Sequence, residues 1–302
     1  MGVLILKRLT LISFILLLAI SACTIREQYE KPVSPIFKIG LIADCQYADQ
    51  GSKRNRFYRD CPEKLRAAAN DFNQSELAFV VHLGDYIDTD WQSFDVVDAA
   101  AATLNVPIEH VLGNHDFFVA EHLKHKIPAR MGLSSRYYSR EYNNWRFIYL
   151  DGNDISLYAW SKTSAQYSAN LEIYKTDYQH LKDWNGGIGN EQLNWIKEQL
   201  EQAQQKDQQV IFFCHFPIYP VGTHNLWNAE QVLQLITQHD NVRAWINGHQ
   251  HNGDYAHYQD IHFVTIAAML DTPLNSYGEL WFYSDHLYLK GSGRQSSFDL
   301  EL

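Results

Sequence analysis

Seven side chains able to hold cations through oxygen or nitrogen sit at one recurring kind of place in this sequence. Asp44 and Gln46 follow an apolar run that opens at Ile36, and Asp85 follows the run from Leu77 to Leu83. Asn114 follows Pro107 to Leu112, His215 follows Val210 to Cys214, and His249 and His251 follow Val242 to Ile246. Singly each is weak, because an aspartate past a strand is usually a turn or capping residue and a lone histidine usually a satisfied polar group. On that ground His82, His110, His122, His125, His239, His257 and His262 receive no role. Together, oxygen and nitrogen donors without a thiolate are what two hard or borderline divalent cations require. Two such ions bring four positive charges and two aspartates remove two, leaving an excess suited to a diphosphate. Ions about 3.5–4 Å apart can activate a water and clamp the attacking and leaving oxygens. Gln46 offers a neutral amide oxygen, which tilts its site towards Mn²⁺, with Mg²⁺, Co²⁺, Fe²⁺ or Zn²⁺ as alternatives.

The elements that must deliver these groups are legible as a pattern. The apolar runs read as buried strands, each handing a polar residue to its carboxyl end. Helical patterns cover roughly 62–72, 94–104, 190–205 and 228–239, with Asn190 as the expected cap of the third. Strand–loop–helix repetition is the layout of an open α/β sheet, whose sites form at the carboxyl ends of strands. The intervals Tyr137–Asp151 and Ile261–Leu289 carry Tyr-, Trp- and Phe-rich strands without clear helices between them, which predicts antiparallel pairing. Residues 152–189 read as a long insertion, a lid or substrate wall.

Composition supports one α/β domain: 302 residues, 46% hydrophobic and 20% charged. A formal net charge of −10 excludes nonspecific binding to nucleic acid or an anionic membrane. A small phosphorylated substrate stays open, since bound cations dominate a site's local charge. The sequence carries no signal for oligomeric state. At the N-terminus Lys7 and Arg8 precede an apolar run from Leu11 to Ile20, then Ser21-Ala22-Cys23. This describes a secretory signal over 1–22, too short to span a bilayer comfortably. Its end resembles the bacterial lipobox, which implies a lipidated Cys23, export, and anchoring that faces the periplasm or cell exterior. Ordinary cleavage with an unmodified Cys23 is the alternative. Residues 23–35 read as a tether and 36–302 as the domain. Cys45, Cys61 and Cys214 are then an odd number and give no disulfide framework. Strand alternation aims Cys45 and Cys214 into the core as buried thiols, with a Cys45–Cys61 bridge as the alternative.

In order, Asp44-x-Gln46, Gly84-Asp85, Gly113-Asn114-His115-Asp116, His215 and Gly248-His249-x-His251 resemble the signature of the calcineurin-like metallophosphoesterases. The resemblance runs from about Ile36 to Arg294. Within that superfamily the chain is similar to the manganese-dependent ADP-ribose/CDP-alcohol diphosphatases. The supporting stretches are Gly40 to Asp49, Arg56-Phe57-Tyr58-Arg59, Tyr137-Tyr138-Ser139, Phe147 to Asp151, Asn185-Gly186-Gly187 and Leu289 to Arg294. Gln46 stands where most of the superfamily has histidine, a substitution typical of this subgroup.

The resemblance implies a four-layer α/β sandwich, with two mixed β-sheets packed face to face and flanked by helices. It implies that Asp44, Gln46 and His251 hold one metal and Asn114, His215 and His249 the other, with Asp85 bridging. His115 would act on the transition state or protonate the leaving oxygen, and Asp116 would fix its tautomer. Asp88 reads as a turn or capping carboxylate. Tyr47, Asn252 and Gly253 adjoin ligands and are expected to border the substrate, and Tyr219, His224 and Trp227 to stack on a base. The expected activity is cleavage of the diphosphate in ADP-ribose or CDP-alcohols. A broader extracytoplasmic phosphodiesterase or nucleotidase is the rival within the class, and a non-catalytic binding protein the rival outside it.

Overall fold

The apolar run that opens at Ile36 forms β1 (Phe37–Ile42), and the strands flanking it decide the architecture. The structure, a computed structural model, describes residues 34–302. The expected signal segment and residues 23–33 of the expected tether lie outside the described residues. Parallel to β1 run β2 (Val80–His82) and β3 (Ile108–His110), and antiparallel to it runs β10 (Ser276–Phe282). With β11 (His286–Gly293) and β12 (Phe298–Glu301) they make a six-stranded sheet ordered β12-β11-β10-β1-β2-β3.

The second six-stranded sheet is ordered β4-β5-β6-β7-β9-β8. Its strands are β4 (Tyr138–Tyr142), β5 (Trp145–Tyr149), β6 (Gln209–Phe213), β7 (Val242–Asn247), β8 (Asp254–Tyr258) and β9 (Ile261–Thr265). Strands β5, β6, β7 and β9 are parallel, and β4 and β8 close the edges antiparallel. Alternation along each strand splits its side chains between two faces. Phe37, Ile39, Leu41, Phe79, Val81 and Leu280 meet Phe147, Tyr149, Ile211, Phe213, Ile246 and Val264 in one buried cluster, so the sheets pack face to face. The opposite faces carry α1 (Cys61–Asn73), α2 (Ser93–Ala101), α5 (Asn190–Gln205) and α6 (Ala229–Ile236). The expected two mixed sheets flanked by helices are what the structure shows.

Three local readings change. Gly189, not Asn190, occupies the capping position of α5, and Asn190 is its first helical residue. The stretch 152–189 contains α4 (Ala165–Ile173), capped by Ser164 Oγ accepting from Tyr167 N at 3.1 Å, which runs on as one π-turn over Tyr174–Tyr178. The short helix α3 (Ile127–Arg130) was also unpredicted. Cys45 does not end as a free thiol: it is bonded to Cys61 at the start of α1, with Cα atoms 5.3 Å apart. Cys214 is the buried free thiol expected. Among the described residues, no helix is long and apolar enough to cross a membrane.

Candidate metal centre

The loops after β1, β2 and β3 supply Asp44, Gln46, Asp85 and Asn114, and those after β6 and β7 supply His215, His249 and His251. Oxygen donors thus come from one sheet and ring nitrogens from the other. Four of the seven lie in the left-handed region: Asp44 at φ 51°, Gln46 at 45°, Asp85 at 56° and His249 at 67°. For non-glycine residues that conformation costs about 1–3 kcal/mol each and persists only where surroundings over-determine it. The surroundings are interlocked loops. Asp44 N donates to Gly84 O at 3.2 Å and Gln46 N to Asp85 O at 2.9 Å. Gly113 has no room for a side chain, since a Cβ would fall 2.1 Å from Asp85 N. Asp116 Oδ1 and Oδ2 accept the N–H groups of Tyr86 and Gly113, both at 2.8 Å, and of Asp85 at 3.2 Å.

The donor atoms converge on Asp85. Its Oδ2 accepts from Gln46 Nε2 at 2.7 Å and lies 3.3 Å from His215 Nε2, while Oδ1 accepts from His115 N at 2.8 Å. His215 Nε2 is 3.1 Å from Asn114 Oδ1 and 3.0 Å from His249 Nδ1. His251 Nε2 is 3.3 Å from Gln46 Nε2 and 3.8 Å from Asp44 Oδ1. Two groups, Asp44–Gln46–His251 and Asn114–His215–His249, therefore meet at Asp85. The outward ring nitrogens are all occupied: His215 Nδ1 by Leu83 O at 2.8 Å, His249 Nε2 by Asn185 Oδ1 at 3.0 Å and His251 Nδ1 by Asp271 Oδ1 at 3.1 Å. Acceptors on the far side keep the proton there and leave each inward nitrogen a lone pair, the arrangement of metal-ligating histidines. Gln46 Oε1 is buried with no partner. An orphaned buried acceptor is costly unless something positive faces it. The donor set fits a pair of divalent cations.

Electrostatics agree. Burial pushes the Asp44 carboxyl up to about 6 against the pull of His215 and His251. Burial also opposes the charge on Asp85, but His215 and His115 outweigh it and hold that carboxyl well below the usual range. Burial lowers His215, yet Asp85 raises it further, to about 9. His249 is pushed well down by burial and by His215. Without a cation, Asp85 thus favours a second proton on His215, which a bound cation would displace.

The model of the calcineurin-like phosphoesterases matches residues 37–253, a span that contains all seven donors. The chain belongs to the calcineurin-like phosphoesterase family. It is 31% identical to a manganese-dependent ADP-ribose/CDP-alcohol diphosphatase of Arabidopsis thaliana, over 88% of this chain and 97% of that one. It is 30% identical to the human protein of the same name, over 86% and 91%. A dimetal phosphatase from Danio rerio superposes with a TM-score of 0.81 at 26% identity, covering 89% of this chain and 99% of that one.

Beside the calcineurin-like centre, His115 is held by Asp88: its Nδ1 lies 3.0 Å from Asp88 Oδ1 and 3.2 Å from Asp88 O. Asp116 does not take the expected part. Its carboxylate, fully buried, is committed to backbone N–H groups, so it shapes the loop while Asp88 orients the ring. Burial works against the proton on His115, but Asp85 and Asp88 prevail and raise it above its ordinary range. A cavity of about 300 Å³ opens over the centre, walled by Arg56, His115, Phe118, Trp184 and His224 with the ligands at its floor.

Of the expected substrate contacts only His224 lines that cavity. Tyr47 opens on a separate hollow with Gln50 and Thr89, and Asn252 and Gly253 on another with Tyr255 and Arg294. Tyr219 packs its ring on Tyr258 and Phe263, with centroids 5.0 and 5.1 Å away. Trp227, buried, packs against Tyr174, stacks on Tyr178 and donates from Nε1 to Lys182 O at 2.9 Å. Being next to a ligand in sequence turned Tyr47 and Asn252 away from the ligand's side, while Tyr219 and Trp227 are taken up by packing. Missed were Arg56, Phe118, Trp184, Asn185 and Asp271. The stretches Arg56–Arg59 and Asn185–Gly187 carried the only signal for any of them.

Proposed function

We propose that this protein hydrolyses the diphosphate bond of nucleoside-diphosphate-linked small molecules, ADP-ribose and CDP-alcohols being the class, with Mn²⁺ as the working metal. The observation that carries this is a two-cation donor set with a neutral amide in it, set under a cavity walled by a guanidinium and aromatic rings. Relatives 30% and 31% identical, over 86% and 88% of this chain, bear that activity in their names.

Bound at the centre, two divalent cations supply a water nucleophile at neutral pH and neutralise charge on the phosphoryl oxygens. The rest falls to the chain. Arg56, at the cavity wall, offers a planar fork for the phosphate that the cations do not reach. Trp184 and His224 stand with ring centroids 5.2 Å apart, and the exposed Phe118 lines the same cavity, so a base can stack there for about 1–3 kcal/mol. His115, whose proton Asp85 and Asp88 favour, is placed to give it to the departing phosphate oxygen. Purified protein with Mn²⁺ is expected to convert ADP-ribose to AMP and CDP-choline to CMP. Faster release of phosphate from AMP than from any diphosphate-linked substrate would replace this with a nucleotidase.

The same proposal includes an exported, Cys23-lipidated chain with residues 1–22 removed. Lys7, Arg8, the apolar run and Ser21-Ala22-Cys23 support it, and the Cys45–Cys61 bond suits an oxidising compartment. Mass spectrometry of membrane-extracted protein should find an acylated Cys23, and a chain retaining Met1 would refute the processing.

A further inference from the structure

The three ring partners at the centre are not equivalent. His215 is oriented by a backbone carbonyl and His249 by an amide oxygen, but His251 by a carboxylate, Asp271. Asp271 is 3% exposed and lies past the residues that the family model matches, so the shared signature does not account for it. His251 is also the ligand with the most open side chain, 15% exposed. Packing alone does not fix such a ring.

The segment holding Asp271 is tied to the ligand loop it serves. Met269 N donates to Ala43 O at 3.0 Å and Leu270 N to Asp44 O at 2.9 Å. Lys64, from α1, donates to Met269 O at 2.7 Å and Thr272 O at 2.6 Å. The second carboxylate oxygen, Oδ2, accepts from Asn55 Nδ2 at 2.9 Å, and the Asp271 backbone is bridged to Arg56. Both oxygens of Asp271 are thus directed, one to the His251 ring and one to the loop that carries Arg56.

We propose that Asp271 is the positioning residue for His251 and sets the cation affinity of the Asp44–Gln46–His251 half of the centre alone. This rests on the metal-centre assignment above. A carboxylate accepting from Nδ1–H fixes the ring with Nε2 facing inward and makes it a stronger donor than an amide or carbonyl partner would. Asn at this position keeps the size but loses the charge, and it has one oxygen where two were in use.

The test is Mn²⁺ binding to the purified full chain, followed by the paramagnetic resonance of free Mn²⁺. Wild type should bind two equivalents. In Asp271→Asn one equivalent should keep its affinity and the other weaken about 10–100-fold. Asn55→Ala, at an exposed loop position, leaves the core intact and should weaken the same equivalent about two- to tenfold. Unchanged affinities in both variants, or in Asn55→Ala should Asp271→Asn not fold, overturn the proposal, as does equal weakening of both equivalents. A wild type that binds fewer than two equivalents removes the metal-centre assignment itself, and the proposal with it.

Discussion

Acidification should strip the centre of its cations long before it unfolds the protein. In the cation-free cluster His215 keeps its proton up to about 9 and Asp44 up to about 6. The two-cation centre is complete only when both have gone, so loading it releases protons and affinity must rise with pH. Between pH 6 and 9 the His215 proton alone is displaced, and the apparent Mn²⁺ affinity should change about tenfold per pH unit. From pH 8 to pH 6 that is a loss of about 100-fold, or about 3 kcal/mol. Below pH 6 the Asp44 proton joins and the slope approaches about 100-fold per unit. Titration with Mn²⁺ at constant ionic strength across pH 5.5–8 gives the slope. Calorimetry at pH 7.5 in two buffers of different ionisation heat counts the protons, and one is expected. A flat affinity from pH 8 to 6, or binding without proton release, would show that Asp85 and His215 do not form the cation-free ion pair.

Replacing Asp88 by Asn removes the charge facing His115, so the ring should lose its proton at lower pH. Turnover should then fall about tenfold at pH 8 and less at pH 6, with bound Mn²⁺ unchanged; equal losses at both pH values would deny His115 a proton-donating role. Cys61→Ser opens a bridge between residues 16 apart and should cost about 3 kcal/mol in urea unfolding. A dithiol added to wild type should have the same effect, and no effect of either would count against the bridge. His110 is buried against His82, and burial lowers its proton affinity to about 4. A histidine depressed on folding contributes stability above its unfolded value of about 6.5 that is lost as pH falls through 4. About 3 kcal/mol should vanish between pH 7 and 4, and His110→Gln should flatten that part of the stability curve.

How much of this was legible in the sequence depended on distance along the chain. Asp44, Asp85, Asn114, His215 and His249 could be found because a buried strand and the residue just past its end are local facts. The helix over 190–205 was legible because Leu193, Ile196, Leu200 and Ala203 repeat at helical spacing. Helix α4 was not, since its apolar residues gather on no single face. Asp88 and Asp116 exchanged roles because sequence offers Asp116 as the neighbour of His115, while the fold brings in Asp88 from a different strand end. Asp271 reaches His251 across 20 residues, and Trp184 reaches the cavity from an insertion without a period, so neither leaves a local mark.

Because oxygen donors ride on one sheet and ring nitrogens on the other, the centre gauges the alignment of two slabs. A bound cation tolerates donor distances within about 0.2 Å, so the close-packed interface between the sheets must hold their alignment to that tolerance. Residues such as Phe147 and Leu280, deep between the slabs, therefore govern the site without touching it. The ions in turn pin the two sheets to each other, each adding about 3 kcal/mol to the folded state at a hundredfold excess over its dissociation constant. A chelator is then a mechanical agent as much as a chemical one: it removes the pins that join the two slabs.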